Sequence, residues 1–506
     1  MALSISVIIY SIILFLFFSA IKQGIRTLIR ERARQINGCL PPRRLAQKDP
    51  LFGIDVLLQD FSAASHRVFL KLLQSRHNAH GLTFASKTCF GTTIHTCDPA
   101  VIQQVLSFQF PSFDLKPLRL SSGASLFGEG ILTTDGESWA HHRRLIKPAF
   151  TRPQIVNDLS IFQHHVDQLI AAIKERNYVT DLQELFFRMV IDSNTKYMFG
   201  ESIGLLHEDG QELASKLHHS LDNVQKGIML RMVVGNLALL HWDPEYHESC
   251  RVIHEVAEKF VRKALKTKKQ HALKPQSEKV DTHARYNLLD EFANATEDPI
   301  QLRDQIVHML LASGDTTSNL LSFTFFILAR RPDLWTKLRQ DVLEHYCEPL
   351  TIDAVMKMTY LRDFLRESLR LFPPFVTNSR VANKDTVLPV GGGPEGKSPL
   401  FVSKGEVVMY NIFAMQRRKE FFGDDVEEFR PERWKELRRR WEYLPFSGGP
   451  RNCIGQIFSF TEASYCTARL LYAFQGVENL DPSNWRENIA ITLSLDNGVH
   501  CRLVPA

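Results

Sequence analysis

The stretch FSGGPRNCIG, at residues 446–455, is the most informative segment of this chain of 506 residues. Gly448 and Gly449 permit a tight turn and a close approach of the backbone, and the proline after them fixes the chain direction. Arg451 places a positive charge two positions before Cys453. A helical pattern follows directly, so the helix dipole also favours negative charge at this point. The stretch therefore predicts a thiolate held in a rigid frame as a metal ligand.

The composition excludes several classes of protein. Hydrophobic residues make up 44% of the chain and charged residues 23%, which is the balance of a globular protein with a large core. The 8 cysteines lack the close, regular pairs of a zinc site or a small disulfide scaffold, which favours a reducing compartment. A net charge of +5 gives no support for nucleic-acid binding. Because the sequence shows no internal repeat, we predict one large catalytic unit.

The N-terminal segment predicts a membrane anchor. The run from Ala2 to Ile21 carries no charge, and a helix of that length spans about 30 Å, the thickness of the hydrocarbon core of a bilayer. Basic residues follow this run but do not precede it, so the positive-inside rule places the rest of the chain in the cytosol. A cleaved signal peptide is the alternative, although such a peptide usually has a basic start and a shorter apolar core. We expect a single-pass protein of the endoplasmic reticulum membrane, with an anchor at 1–22, a basic and proline-containing hinge at 23–49 and a catalytic domain at 50–506.

The catalytic domain is predicted to be mainly α-helical with small β-sheets. Apolar residues recur at three- and four-residue spacing over Ile155–Glu175 and Asp181–Phe199, which indicates amphipathic helices. Short β-branched runs surround the GGGPEG turn at 391–396. These runs predict strands at Thr386–Val390, Leu400–Val402 and Val407–Tyr410.

The cysteine stretch resembles the haem-binding loop of the cytochrome P450 family, F-x-x-G-x-R-x-C-x-G. Phe446, Gly449, Arg451, Cys453 and Gly455 occupy its defined positions. The resemblance implies a cytochrome P450 fold, haem b as the cofactor and Cys453 as the axial thiolate, a ligand that favours O–O cleavage. For the cysteine alone, a structural thiol buried in a glycine-rich turn would be the simpler interpretation.

A second motif precedes the cysteine stretch in the family's order. Glu367 and Arg370 form an E-x-x-R pair, which lies on one helical face. With Arg433 of the FRPERW stretch they resemble the family's buried ionic network. The resemblance implies a structural role, because removing one member of such a network leaves a buried charge unpaired.

A third motif lies further upstream. Trp139 and Arg143 resemble the W-x-x-x-R element, whose side chains share a helical face and reach the haem propionates. The resemblance implies that Arg143, Arg451 and Arg380 neutralise those carboxylates.

The stretch ASGDTTS, at residues 312–318, interrupts an apolar helical pattern. A buried acid followed by hydroxyl residues is costly in a helix unless it has a function. The stretch resembles the family's oxygen-activating segment, which implies that Asp315 and Thr316 deliver protons while dioxygen is cleaved. Ser313 stands where the family often has glycine, and its effect on the helix groove is open. An acid that caps a helix break is the structural alternative.

Three longer stretches resemble a fungal branch of the family that hydroxylates n-alkanes and fatty acids at or near the chain end. They are GEGILTTDGESWAHHRRLIKPAF, LFPPFVTNSRVANKDTVLPVGGGPEG and FGDDVEEFRPERW, and the similarity covers most of residues 50–506. The resemblance implies a monooxygenase that inserts one oxygen atom of O2 into an unactivated C–H bond of a fatty acid, an alkane or an alkyl-bearing secondary-metabolite intermediate. By the family's layout, the substrate pocket is expected to include Leu126, Phe127, His308, Leu311, Ala312, Phe375, Val376, Thr377 and Leu493. For His308, a role as a buried core histidine is the alternative.

The resemblance also implies redox partners. Because the chain carries no flavin- or NADPH-binding glycine motif, electrons from NADPH are expected to arrive through a separate NADPH–cytochrome P450 reductase, with cytochrome b5 as an additional donor. The basic run Arg438–Arg440 could meet an acidic reductase surface or lie in solvent. Two rival functions are a haem-thiolate isomerase or dehydratase, which needs no reductase, and a membrane-tethered haem sensor or carrier. The acid and hydroxyl pair at Asp315 and Thr316 argues against the first rival.

Overall fold

A computed structural model describes residues 27–506 except 51, 89–90, 152–157, 236–242, 274–286 and 439, together with residues 14, 17, 18, 21, 24 and 25. Most of the predicted anchor and Arg439 lie outside the described residues. Among the helices that are described, none is both long enough and apolar enough to cross a bilayer. The anchor therefore stays a prediction.

Helices make up most of the described chain, as predicted. In chain order they are α1 (Ile54–Ser65), α2 (Phe69–His80), α3 (Pro99–Gln103), α4 (Lys116–Phe127), α5 (Gly136–Thr151), α6 (Ser160–Glu175), α7 (Leu182–Phe199), α8 (Gln211–Val234), α9 (Pro244–Leu273), α10 (Leu288–Ala295), α11 (Pro299–Arg330), α12 (Pro332–His345), α13 (Ile352–Lys357), α14 (Thr359–Leu371), α15 (Ile412–Met415), α16 (Lys419–Phe422) and α17 (Gln456–Ala473).

The strands are short and form small sheets. In chain order they are β1 (Arg43–Arg44), β2 (Thr83–Thr88), β3 (Gly91–Thr96), β4 (Phe113–Asp114), β5 (Val179–Asp181), β6 (Thr377–Ala382), β7 (Thr386–Gly392), β8 (Ser398–Val402), β9 (Val407–Asn411), β10 (Phe474–Asn479), β11 (Glu487–Ile489), β12 (Leu493–Leu495) and β13 (His500–Pro505). The largest sheet has the order β1-β2-β3-β9-β6-β4, with β1 parallel to β2 and β3 parallel to β9. The smaller sheets are β10-β13-β5, β11-β12 and β7-β8.

The sequence patterns predicted these elements closely. The three predicted strands are confirmed as parts of β7, β8 and β9. The helix predicted over Asp181–Phe199 is confirmed as α7, where Asp181 is the N-cap and its Oδ1 accepts a hydrogen bond from the Gln183 amide at 2.9 Å. The helix predicted over Ile155–Glu175 is described from Ser160 onward as α6, and residues 155–157 lie outside the described part of the chain.

Helix α11, 32 residues long, runs through the hydrophobic core. Asp298 caps its start, because Oδ1 accepts a hydrogen bond from the Ile300 amide at 2.9 Å. The helix packs closely against α7 at Gly314, where an added Cβ would lie 2.6 Å from Cδ1 of Ile191. A larger residue at position 314 would require the Ile191 side chain to move.

Candidate active site

The cysteine stretch forms a tight loop that ends where α17 begins. The Cys453 amide donates a hydrogen bond to the Phe446 carbonyl at 2.9 Å, which closes the loop. Gly449 has φ of +71°, and a Cβ there would lie 1.8 Å from the carbonyl oxygen of Leu106. No other residue fits this position, because both the left-handed backbone and the close contact exclude a side chain.

The Cys453 side chain has accessible surface, although it lies deep within the protein. Burial raises the pKa of its thiol, while the Gly455 amide and the guanidinium of Arg143 lower it. We infer from this combination that the thiol lines an interior cleft. The amide and the positive charge favour the thiolate, which is the form that ligates a metal.

A cluster of guanidinium groups lies near the cysteine loop. Burial, together with the positive charges of Arg380 and Arg451, lowers the pKa of Arg119 to about 9. Burial likewise lowers the pKa of Arg451 to about 10, despite the carboxylate of Asp135 beside it. Nε of Arg380 and Nε1 of Trp139 are buried without a hydrogen-bond partner among the described residues. Neighbouring buried cations are costly unless an anionic group binds between them.

Arg119 is a member of this cluster that sequence reasoning missed. It lies on α4, where its Nη1 donates a hydrogen bond to the Leu132 carbonyl at 3.1 Å and its Nη2 to Oδ1 of Asn378 at 3.4 Å. The stretch KPLRL around it matches none of the motifs. Its proximity to Arg380 arises only when α4 packs beside β6, so no local sequence signal could reveal it.

Trp139 and Arg143 both support the cysteine loop. Arg143 donates hydrogen bonds from Nη1 and Nη2 to the carbonyl and Oδ1 of Asn452, at 3.0 and 2.8 Å. The indole ring of Trp139 lies 5.7 Å from the guanidinium of Arg143 and 5.3 Å from that of Arg451. Arg143 therefore contacts the residue directly before the thiol, a role that the sequence motif did not specify.

Arg451 fixes a second loop against the cysteine loop. It forms an ion pair with Asp135 and donates hydrogen bonds to the carbonyls of Ile131 and Thr134. The residues between α4 and α5 are thus held beside the thiol.

The polar segment of α11 also contributes accessible surface inside the protein. Ala312 is exposed, and Leu311, Asp315 and Thr316 are half-buried, although the helix passes through the core. Oγ1 of Thr316 donates a hydrogen bond to the Ala312 carbonyl at 3.1 Å. We assign this surface to the interior cleft, because the remaining faces of α11 are packed against protein.

Asp315 has a different partner. Its Oδ2 accepts a hydrogen bond from Nε2 of Gln225 on α8. Burial raises the pKa of Asp315, whereas the hydrogen bond from Gln225 and the nearby imidazole of His218 lower it, and Asp222 raises it further. The acid and the hydroxyl are adjacent in sequence but are held by different groups.

Two contacts join the polar segment to neighbouring helices. Oγ1 of Thr317 lies 2.7 Å from Oγ of Ser459, which is on the helix that follows Cys453. Nδ2 of Asn194 donates a hydrogen bond to the Ser313 carbonyl at 3.0 Å, and Oγ of Ser313 donates to the Met309 carbonyl at 2.8 Å. Ser313 is thus accommodated within the helix by bonding back one turn.

The structure brings Glu367, Arg370 and Arg433 together as a buried network. Arg370 donates to both oxygens of Glu367, at 2.9 and 2.8 Å, and Nε of Arg433 donates to Oε1 at 2.8 Å. Nε1 of Trp434 adds a hydrogen bond to Oε2 at 3.0 Å. Since Glu367, Arg370 and Arg433 are at most 2% exposed, the carboxylate depends on these donors for its charge compensation.

The expected pocket residues fall into two contacting groups. The rings of Phe127 and His308 lie 5.2 Å apart, and Nδ1 of His308 accepts a hydrogen bond from the Leu132 amide at 3.3 Å. The Leu493 amide donates to the Pro374 carbonyl at 2.8 Å, which places it beside the expected residues 375–377. Leu126, Phe127, His308, Val376 and Leu493 are buried, Leu311, Phe375 and Thr377 are half-buried, and Ala312 is exposed. The role of all nine in a substrate pocket stays a prediction.

The chemistry of these groups fits haem. The site offers a shielded thiol beside an amide and a guanidinium that oppose the effect of burial on its pKa, and an apolar helix surface at Leu311 and Ala312. It also offers clustered guanidinium groups, and Nε of Arg380 has no hydrogen-bond partner in the described part of the chain. Haem is a flat apolar group with two carboxylate substituents and an iron that takes an axial thiolate. Arg119, Arg380 and Arg451 would bind those carboxylates. The contact of Trp139 and Arg143 with the haem propionates stays a prediction.

Comparison with known proteins gives the same assignment. The sequence pattern of the cytochrome P450 family matches residues 48–492. Cytochrome P450 monooxygenase himC of Aspergillus japonicus is 36% identical over 482 residues, which cover 94% of this chain and 85% of himC. Cytochrome P450 52A10 of Candida maltosa is 38% identical over 434 residues, which cover 81% of each chain. Cytochrome P450 monooxygenase fsdH of Fusarium heterosporum is 34% identical over 478 residues, which cover 92% of this chain and 83% of fsdH.

The chain therefore belongs to the cytochrome P450 family. It is a monooxygenase of that family, and its similar relatives are fungal. Members of the family bind haem through a cysteine thiolate and receive electrons from NADPH through a reductase.

Proposed function

We propose that this monooxygenase hydroxylates a long-chain aliphatic compound, either a fatty acid, an alkane or an alkyl-bearing intermediate, with Cys453 as the axial ligand of haem. The reaction consumes one O2, one NADPH and one proton, and yields the alcohol, NADP⁺ and water. The observation that carries the proposal is the Cys453 thiol, which is accessible yet shielded. The hydrogen bond between Thr317 and Ser459 joins the polar segment of α11 to the helix that follows this cysteine.

The aliphatic substrate rests on two further points. The three stretches quoted above resemble the fungal alkane and fatty-acid hydroxylases. The accessible side chains on the cleft side of α11 include Leu311 and Ala312, which suit an apolar chain rather than a polar one. The guanidinium cluster would be taken up by the haem carboxylates.

Different residues of the chain have different roles in the proposed reaction. Haem, when bound, supplies the centre at which dioxygen is reduced. The Gly455 amide and Arg143 stabilise the thiolate of Cys453, and the cation cluster orients the cofactor. Asp315 takes up a proton at its carboxyl group. The hydroxyl of Thr316 donates its hydrogen to the Ala312 carbonyl, so its oxygen is free to accept a hydrogen bond, and it would pass on a proton by exchanging that backbone bond.

The protein is further proposed to be anchored in the endoplasmic reticulum membrane by its N-terminal apolar run, beside NADPH–cytochrome P450 reductase and cytochrome b5. The basic residues that follow this run support the cytosolic placement of the catalytic domain. Arg438 and Arg440 add positive charge on the chain shortly before the cysteine loop, which suits an acidic electron donor.

Product analysis tests this function. The full-length protein is incubated with reductase, NADPH, isotopically labelled O2 and a series of fatty acids and alkanes of increasing length. We expect an alcohol that carries one labelled oxygen atom and forms only with NADPH. Product formation from a lipid peroxide without NADPH would instead support the isomerase or dehydratase, and tight binding without turnover of any substrate would support the sensor or carrier.

A further inference from the structure

The carboxyl group of Asp315 is held by a side chain from another helix. Gln225 of α8 donates a hydrogen bond from Nε2 to Oδ2 of Asp315, and its Oε1 accepts one from Oγ1 of Thr492 at 3.2 Å. Gln225 is 5% exposed and Thr492 is 8% exposed. In this orientation the NH2 group of Gln225 faces Asp315 and its oxygen faces Thr492, which suits the ionised carboxylate, a group that only accepts hydrogen bonds. Both ends of the amide are therefore fixed.

The support behind Gln225 is itself anchored. Thr492 lies directly before β12, and the next amide, that of Leu493, is bonded to the Pro374 carbonyl. Nδ2 of Asn488 on β11 donates a hydrogen bond to Oδ1 of Asp222, one turn before Gln225 on α8, at 3.2 Å. The hairpin β11-β12 thus contacts α8 at two points, which restricts the movement of the amide.

This arrangement turns the acid away from the neighbouring hydroxyl. The Asp315 carboxyl is bonded toward α8, whereas Oγ1 of Thr316 is bonded to the Ala312 carbonyl on its own helix. Without Gln225, the Asp315 carboxyl would lose its hydrogen-bond donor from α8. It would then either rotate or remain without that donor where it is shielded from water.

We propose that Gln225, supported by Thr492, is a positioning residue that sets the orientation of the Asp315 carboxyl for proton delivery. The proposal rests on the proton-delivery role of Asp315 in the proposed function. It assigns to α8 and to the hairpin β11-β12 a part in dioxygen cleavage in addition to any contact with substrate.

A readout without turnover follows from the hydrogen bond. The donor on Gln225 favours the ionised form of Asp315, as does the nearby imidazole of His218, while Asp222 on the same face of α8 opposes it. Replacement of Gln225 by leucine removes the donor and keeps the approximate size, so the pKa of Asp315 moves further upward. Infrared titration of the resting haem-loaded enzyme measures this shift, with Asp315→Asn identifying the band. An unchanged titration midpoint in Gln225→Leu would overturn the proposal.

The second readout is coupling, the amount of alcohol formed per NADPH consumed. In Gln225→Leu we expect coupling to fall by about tenfold with a matching rise in hydrogen peroxide, and with little change in KM. Thr492→Val, which leaves the amide but removes its support, should lower coupling by less. The matched control is Gln183→Leu, because Gln183 also holds the hairpin, through the Leu495 carbonyl at 2.9 Å, without contacting Asp315.

Double substitution separates this proposal from the proposed function. If Gln225 acts through Asp315, adding Gln225→Leu to Asp315→Asn causes no further loss of coupling. Uncoupling by Asp315→Asn but not by Gln225→Leu, or additive losses in the double variant, would overturn the role of Gln225 alone. Normal coupling in Asp315→Asn would overturn the proton-delivery role itself, and the role of Gln225 with it. Thermal unfolding of each variant verifies that the comparison is made on folded protein.

Discussion

The properties of Cys453 come from its neighbours. Burial by itself would keep the thiol protonated and inert, as it does for Cys97, whose pKa it raises to about 12. At Cys453 the Gly455 amide and Arg143 oppose burial, and the side chain keeps accessible surface. The same functional group therefore serves as packing at one position and as a candidate ligand at the other.

The hydroxyl of Thr316 is predicted to be needed for proton delivery. Thr316→Val preserves the shape of the side chain and removes only the hydroxyl, so coupling should fall by about tenfold to a hundredfold while peroxide release rises. The measurement is alcohol and peroxide formed per NADPH. Thr324→Val, on the same helix and away from the polar segment, is the control and should stay coupled. Equal coupling in Thr316→Val and wild type would contradict the role.

Glu462 is predicted to make the stability of the protein dependent on pH. This residue of α17 is buried, its Oε1 accepts a hydrogen bond from Ser193, and its Oε2 has no partner among the described residues. Burial raises its pKa from 4.5 to about 8. The folded protein must therefore hold a proton that the unfolded chain releases, so folding loses up to about 1.4 kcal/mol per pH unit between these two pKa values as the pH rises.

The test is thermal unfolding of wild type and Glu462→Gln at pH 5 and pH 8, where glutamine imitates the neutral acid. Relative to wild type, the variant should be more stable at pH 8 than at pH 5. An equal difference in stability at the two pH values would show that Glu462 is ionised in the folded protein.

At this scale the sequence predicted residues that belong to motifs and missed those that do not. Cys453, Arg451 and Asp315 stand at fixed spacings from recognisable neighbours. Arg119 and Gln225 reach the site from α4 and α8, and their contacts with Arg380 and Asp315 exist only after the helices have packed. Local sequence carries no information about such contacts.

The cysteine loop is the element whose shape is most constrained. Gly449 and Gly396 both have φ of +71°, but a Cβ at Gly396 meets nothing within 4 Å, whereas one at Gly449 lies 1.8 Å from the Leu106 carbonyl. Gly396→Ala should cost about 1–2 kcal/mol, the penalty of the left-handed backbone alone. Gly449→Ala should cost more and should also lower the haem content, because the loop must move. Chemical denaturation and haem absorbance measure the two effects. Similar losses in both variants would show that the contact with Leu106 is unimportant.

The network of Glu367 is predicted to hold the segment before the cysteine loop. Glu367→Gln leaves Arg370 and Arg433 buried beside a neutral amide, which should destabilise the protein by about 3–5 kcal/mol. The ion pair of half-buried Arg418 with exposed Glu420 provides the control, since Glu420→Gln should cost less than about 1 kcal/mol. Denaturant unfolding compares the two. A small loss in Glu367→Gln would show that the network is dispensable for stability.

Helices and strands were predictable where the spacing of apolar residues agrees with turn and capping residues at their ends. The alternating run before the GGGPEG turn and the run after it gave β7 and β8, and Asp181 marked the start of α7. The packing of α11 was less accessible from sequence. The family often has glycine at the position of Ser313, whereas this chain has it one position later, at Gly314. In the structure Gly314 contacts Ile191 of α7, and the hydroxyl of Ser313 bonds back within its own helix. The sequence alone does not show either contact.

At the scale of the whole molecule, the order of motifs along the chain identified the fold before any contact was known. The motifs around Trp139, Asp315, Glu367 and Cys453 are far apart in sequence. Two contacts join the first, second and fourth of them in space: Arg143 with Asn452, and Thr317 with Ser459. Glu367 is joined to the FRPERW stretch through Arg433. Unlike the fold, the substrate could not be predicted from these motifs, because substrate choice depends on side chains of the cleft that no motif specifies.

The most direct test of a haem-thiolate centre at Cys453 is the absorbance spectrum of the reduced, carbon-monoxide-bound protein. Wild type should show the band that gives the cytochrome P450 family its name, and Cys453→Ser should lose it. Cys347→Ser, which alters an exposed cysteine remote in sequence from the loop, should keep the band. Absence of the band in wild type, or its persistence in Cys453→Ser, would contradict the assignment of Cys453 as the haem ligand.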